Sequence, residues 1–141
     1  MARKVKYTEA EAKASKIFSR LKGRVAKIKS EEEAYNLEGV WSRDDFIAWY
    51  KGKEKVCCYC GITEAESQKF NKKITSKRSA TRGKSLEIER LKPHGKYQEN
   101  NCELACYWCN NAKSDVFSVD EFKPISEAIG ARIKLRVKAL P

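Results

Sequence analysis

Four cysteines stand in two Cys-x-x-Cys pairs, Cys57/Cys60 and Cys106/Cys109. Two thiolate pairs of this spacing are the usual way a small protein builds a tetrahedral zinc site, and the metal would staple two distant chain segments together. The stretch between the pairs is polar and carries Glu87, Glu89, Arg90, His94, Tyr97 and Asn101, and the second pair runs straight into Asn110, Lys113, Ser114 and Asp115. Carboxylates and carboxamides gathered inside a soft-metal staple point to a chemically active site between its halves. A thioredoxin-like redox use of the Cys-x-x-Cys spacing fits less well, because the two pairs enclose an acidic site. Cys58 and Cys102 are left over. Both read as partly buried small residues, with Cys58 the nearer substitute ligand because it adjoins Cys57.

The elements that must position these groups come from 141 residues, 41% of them apolar, which supports one domain with a modest core or one domain and an arm. No apolar run is long enough for a membrane span, and the start lacks the apolar core of a secretory signal. The expectation is a soluble cytoplasmic protein whose thiols hold metal and form no disulfides. The net charge of +11 calls for a polyanionic partner. It is concentrated: residues 1–29 hold ten Lys/Arg against two Glu, residues 69–84 seven against no acid, and residues 130–141 four against none. One such block reads as a solvated face. Three blocks flanking a stapled site fit phosphate contacts along a nucleic acid, with Lys72, Lys73, Lys77, Arg78, Arg82, Lys84 and Lys113 as contact candidates.

Thr8 with Glu11 forms a capping box ahead of Ala10, Ala14, Ile17, Leu21, Val25 and Ile28, which predicts a basic amphipathic helix from about Glu9, weakened at Gly23. Ser30 with Glu33 predicts a short second helix. Ser42 with Asp45 opens another, whose Phe46, Ile47, Trp49 and Tyr50, with Trp41 before them, read as core sooner than as a base-stacking surface. Gly61 supplies the backbone angles of a zinc-knuckle turn, and Thr63 with Glu66 caps a short helix. Residues 71–84 lack periodicity and acid, predicting a mobile loop that orders on phosphate. Leu86 to Leu91 alternates as a strand broken by Pro93 and Gly95, and a helix runs from Cys106 to about Val116. A last helical region, capped by Ser118 and Glu121, is split at Pro124. It turns Ile125, Ile129, Ile133 and Val137 inward and Arg132, Lys134, Arg136 and Lys138 outward.

Strand, polar loop, short second strand and helix beside a four-cysteine staple resemble the ββα-metal core of the HNH endonucleases. That family's pattern is an acidic residue and a histidine ending the first strand, a middle asparagine before the second cysteine pair, and a histidine or asparagine after it. Here the positions read Glu89 and Arg90, Asn101, and Asn110. Arginine stands where the hallmark histidine is expected. A rare-cutting restriction branch of the family is similar in this too, with a carboxylate–arginine pair followed seven residues later by a tyrosine, here Glu89, Arg90 and Tyr97. The likeness extends to Phe46–Tyr50, Cys58–Ala65 and Leu86–Phe117, about the last two thirds of the chain. It stops at the N-terminus, where that branch carries a second cysteine-rich module.

The resemblance implies an α+β fold with a basic helical arm over 1–41 and a nuclease domain over 42–141. It implies a metal-dependent endonuclease that hydrolyses the phosphodiester bonds of double-stranded DNA, of type II restriction kind, working as a homodimer on a palindromic target. Homing or phage nicking activity shares the chemistry, and a zinc-stapled nucleic-acid-binding protein without catalysis is the rival of another class. By position, Glu89 and Asn110 would hold one Mg²⁺ or Mn²⁺ beside the structural zinc on Cys57, Cys60, Cys106 and Cys109. Arg90, always protonated, would grip the scissile phosphate. Tyr97 would orient or deprotonate the attacking water. His94, the lone histidine, is the rival base on intrinsic chemistry, since imidazole titrates at about 6.5 and phenol at about 10. Asn101 would tie the catalytic loop through backbone hydrogen bonds, Glu87 would support or face solvent, and Lys113, Ser114 and Asp115 would contact phosphate or cap the helix.

Overall fold

A computed structural model of the chain describes residues 6–28, 41–93 and 95–141, with the side chains of residues 25–28 excepted. The helix expected from Ser30, the side chains of Val25 and Ile28, and His94 lie outside the described residues. The chain divides into two compact units, one formed by Met1–Lys53 with His94–Asn101, the other by Glu54–Pro93 with Cys102–Pro141.

The first unit is built on α1 (Glu9–Ile28) and α2 (Arg43–Gly52). Both ends of the capping box close on α1, Thr8 N donating to Glu11 Oε2 at 2.9 Å and Glu11 N to Thr8 Oγ1 at 3.3 Å. The buried face is Ala14, Phe18 and Leu21, whereas Ala10 is exposed and Ile17 half-buried. The sequence pattern missed Phe18, whose ring meets Phe46 at 5.6 Å between centroids. α2 starts on Ser42, whose hydroxyl accepts from Asp45 N, and buries Phe46, Ile47, Trp49 and Tyr50 as expected. Arg43 fastens the pair, donating to Ser15 O at 2.9 Å and Ser19 Oγ at 3.1 Å.

The second unit begins with the turn Cys57–Gly61, closed by Cys57 N on Ile62 O (2.8 Å) and Gly61 N on Cys57 O (3.0 Å), with Gly61 at φ +74°. A complete capping box on Thr63 starts α3 (Glu64–Lys72). The segment expected as a loop over 71–84 takes in the last two residues of α3 and is otherwise irregular. It forms a 3₁₀ turn at Lys77–Ala80 and folds back on α3, with Ser67 Oγ donating to Gly83 O at 2.8 Å and Asn71 Nδ2 to Ser79 O at 2.9 Å. β1 (Glu87–Arg90) and β2 (Cys102–Ala105) pair antiparallel, Glu87 opposite Ala105 and Arg90 opposite Cys102. α4 (Tyr107–Lys113) follows, capped by Cys106, and ends sooner than expected at Ser114, which sits at φ +47°.

α5 (Val119–Lys138) is one continuous helix, so Pro124 does not split it. Proline there removes only the bond to the carbonyl of Asp120, an exposed first-turn residue whose oxygen water can satisfy. The inward face of α5 also differs from the expected one. Phe122, Ser126, Gly130 and Ile133 are buried and Val137 half-buried, while Ile125 is exposed and Ile129 half-buried. The inward residues include Ser126 and Gly130 because the helix lies against the cysteine turn, which leaves no room for larger side chains. Arg132, Lys134, Arg136 and Lys138 are exposed as expected. Among the described residues no helix is long and apolar enough to cross a membrane. The second unit thus holds a β1–β2–α4 succession flanked by helices, in an α+β fold.

Candidate functional site

The Sγ atoms of Cys57, Cys60, Cys106 and Cys109 lie within 4.8 Å of one another, and Cys60 and Cys106 are 3.7 Å apart. A tetrahedron with Zn–S bonds of about 2.3 Å has sulfur–sulfur edges of about 3.8 Å. The separation therefore matches ligands around a common ion and is far too long for a disulfide. Local structure aims the sulfurs. The cysteine turn presents Cys57 and Cys60, and Cys106 at the cap of α4 accepts from Cys109 N at 3.4 Å. Hydrogen bonds from Cys106, then Cys109, hold the Cys57 and Cys60 thiols below the ordinary value, and Cys109 is pushed up chiefly by Cys106. Thiols this crowded cannot all ionise unaided, and a dication among them lets all four do so. Cys102 is buried away from this group, and Cys58, expected to be partly buried, is exposed.

α5 backs the turn. A Cβ on Gly130 would come within 2.6 Å of Cys60 O, and Ser126 Oγ donates to Tyr59 O at 3.1 Å.

The facing sides of β1 and α4 carry two polar rungs. Glu87 and Glu89 share one face of the strand, two residues apart, and Asn110 and Lys113 share one face of the helix, three apart. In the first rung Asn110 Nδ2 donates to Glu87 Oε1 at 2.9 Å, and Arg82 grips the same carboxylate through Nε (2.7 Å) and Nη2 (2.5 Å). In the second, Lys113 Nζ lies 3.5 Å from Glu89 Oε1, which also accepts from Tyr59 OH at 3.2 Å. Lys113, expected on phosphate, is 0% exposed and Glu89 only 5%. Burial raises the Glu89 carboxyl above the ordinary carboxylate value, with Lys113, Tyr59 and Arg90 pulling the other way. Burial, then the charge on Glu89, also pushes the Tyr59 phenol up, keeping it a donor.

These rungs leave two hard oxygens over. Among the described residues Glu89 Oε2 and Asn110 Oδ1 take no hydrogen bond, so the donor set fits a hard cation such as Mg²⁺ or Mn²⁺.

The remaining expected residues divide by unit. Arg90 ends β1, half-buried. Lys72, Lys73, Lys77, Arg78 and Lys84 are exposed along the segment after α3, while Arg82 is half-buried, stacked 4.4 Å from the Tyr107 ring and tied to Glu87. Tyr97 and Asn101 belong to the first unit. Tyr97 is buried, and Asn101 Nδ2 donates to Lys96 O at 3.0 Å. Sequence reasoning missed Tyr59 and the pairing of Lys113. Two acidic residues at strand spacing facing Asn and Lys at helix spacing were the available signal for the second.

No family model and no curated protein matches the chain. Among solved structures it is similar to the rare-cutting HNH restriction endonuclease PacI, in a structure described for its mechanism of DNA perturbation. The two are 27% identical with a TM-score of 0.65, over 96% of this chain and 87% of PacI. The likeness thus runs beyond the last two thirds and takes in the N-terminal third as well. With the cysteine tetrad and the β1–β2–α4 order, it establishes an HNH-type fold.

Proposed function

We propose that this chain is a metal-dependent endonuclease that hydrolyses phosphodiester bonds of double-stranded DNA, of the restriction kind. The observation that carries the reading is the β1–α4 face of an HNH-type fold, where Glu89 and Asn110 each keep one oxygen without a hydrogen bond among the described residues. A Mg²⁺ or Mn²⁺ ion there would polarise a phosphate oxygen and stabilise the leaving 3′ oxygen. Glu89 and Asn110 would hold it. Arg90 supplies a fixed fork of donors for the scissile phosphate and cannot act as a base. Tyr97, seven residues on, orients or deprotonates water, and His94 is the alternative for that step. Asn101 steadies the segment between them through Lys96 O. Zinc on the four cysteines fixes the turn, β2 and the start of α4 as one piece. The exposed lysines after α3, with Arg78, track the DNA backbone. One such site cuts one strand, so a double-strand cut at a palindrome requires two copies about a two-fold axis.

A second reading, a zinc-stapled DNA-binding protein without catalysis, is favoured by the Lys113 ammonium beside Glu89, which already supplies the carboxylate with positive charge. One experiment separates the two. Zinc-loaded protein is incubated with mixed plasmid and genomic DNA in Mg²⁺ or Mn²⁺, and the ends are sequenced. Ends sharing one short sequence are expected from the wild type and none from Glu89→Ala, which should still bind DNA. Binding without any cut by the wild type would establish the second reading.

A further inference from the structure

Glu87 does not follow from the proposed chemistry, yet it is the most connected carboxylate of the site. It accepts three hydrogen bonds, from Arg82 Nε, Arg82 Nη2 and Asn110 Nδ2. Its half-buried position on β1 places it one rung from Glu89, across from the start of α4.

A carboxamide has two unlike ends, and only its oxygen can bind a cation. A carboxylate accepts and cannot donate, so Glu87 fixes which end of Asn110 it faces: Nδ2 turns towards Glu87 and Oδ1 is left on the other side. Arg82 adds a second effect. Its Nη2 shares Oε1 of Glu87 with the Asn110 amide, at 2.5 and 2.9 Å, so the guanidinium and the amide are neighbours. Glu87 thus also keeps the Arg82 guanidinium, a donor beside the Asn110 amide, on its own carboxylate.

We infer that Glu87 is a positioning residue, which orients the Asn110 carboxamide so that its oxygen is presented to a divalent cation and keeps the Arg82 guanidinium on its own carboxylate. The inference rests on the metal-dependent reading and deepens it, because it separates the carboxylate that holds the ion from the one that aims its partner.

The test is Mn²⁺ titration of the zinc-loaded protein, followed by the loss of the free-ion electron paramagnetic resonance signal, with zinc content as the control for folding. Glu87→Ala should weaken Mn²⁺ binding by about 10- to 100-fold, the usual cost of losing a residue that orients a ligand. Glu87→Gln keeps an acceptor for Nδ2 and should retain affinity within a few-fold. In an Asn110→Asp background both ends of the side chain are oxygens, so adding Glu87→Ala should no longer weaken binding. Equal loss in Glu87→Gln and Glu87→Ala would make Glu87 a ligand itself and overturn the positioning role. Unchanged affinity in Glu87→Ala would overturn it too, with the metal-dependent reading intact. Absence of Mn²⁺ binding by the wild type would remove both.

Discussion

Glu89 is held between two opposing forces, burial that favours its neutral form and the Lys113 ammonium that favours the charged one, and burial prevails. A carboxyl whose value in the fold is raised contributes stability that is fully present below the ordinary carboxylate range and is lost as pH rises through the raised value. Glu89→Gln, neutral throughout, should flatten that part of the curve. The wild type should therefore lose stability relative to Glu89→Gln as pH rises from the ordinary carboxylate range through the raised value in chelex-treated buffer, and added Mn²⁺ should restore it by favouring the ionised carboxylate. Lys113→Met removes one partner of a buried pair and should cost about 3 kcal/mol in denaturant unfolding, because it strands a buried carboxylate. The same variant should bind Mn²⁺ more tightly, since the competing cation is gone. On the chemical step, Tyr97→Phe should slow single-turnover cleavage by about 10²-fold if the phenol activates water, with His94→Ala nearly unaffected. The opposite pair of results, with a pH profile breaking near about 6 to 7, would move the base to His94.

At the scale of elements, α5 matters through two small residues. Alanine normally favours a helix over glycine by about 1 kcal/mol, yet at Gly130 the new Cβ would meet Cys60 O at 2.6 Å, a backbone atom of the zinc turn. The clash should dominate. Gly130→Ala is expected to destabilise by roughly 1–3 kcal/mol and to speed zinc release to a chromogenic chelator, whereas Gly23→Ala, with open space around the new carbon, should be neutral or stabilising. The contrast also shows what the sequence could and could not reveal. Caps on Thr8, Ser42, Thr63 and Ser118 were legible because a cap is a local bond, and the cysteine pairs because ligand spacing is fixed by the ion. Phe18 in place of Ile17, Ser126 in place of Ile125, and the packed segment after α3 depended on which face a neighbour covers. Lys113 was misread for the same reason: a lysine belongs in water unless a carboxylate on another element waits for it.

For the whole molecule the governing quantity is the charge of +11, which burial of one lysine and pairing of one arginine scarcely diminish. The described basic residues of the 69–84 block and of α5 are mainly exposed. DNA binding should then be driven by release of counterions. The logarithm of the association constant should fall linearly with the logarithm of salt concentration, by about 0.9 per phosphate neutralised. Between about 50 and 200 mM salt, six or more contacts would cost about 10³-fold in affinity or more. Replacing Lys72, Lys73 and Lys77 together by alanine should lower that slope by about 2 to 3 and weaken all sequences alike, because such contacts position the duplex without reading it. Arg82→Ala should behave differently. Its guanidinium is spent on Glu87, so the slope should hardly change, while Mn²⁺ affinity shifts through Asn110. A fluorescence-anisotropy salt series on a short duplex measures both slopes. A slope unmoved by the triple substitution would take the segment after α3 off the DNA, and a slope lowered by a full unit in Arg82→Ala would mean that this arginine leaves Glu87 for phosphate when DNA is bound.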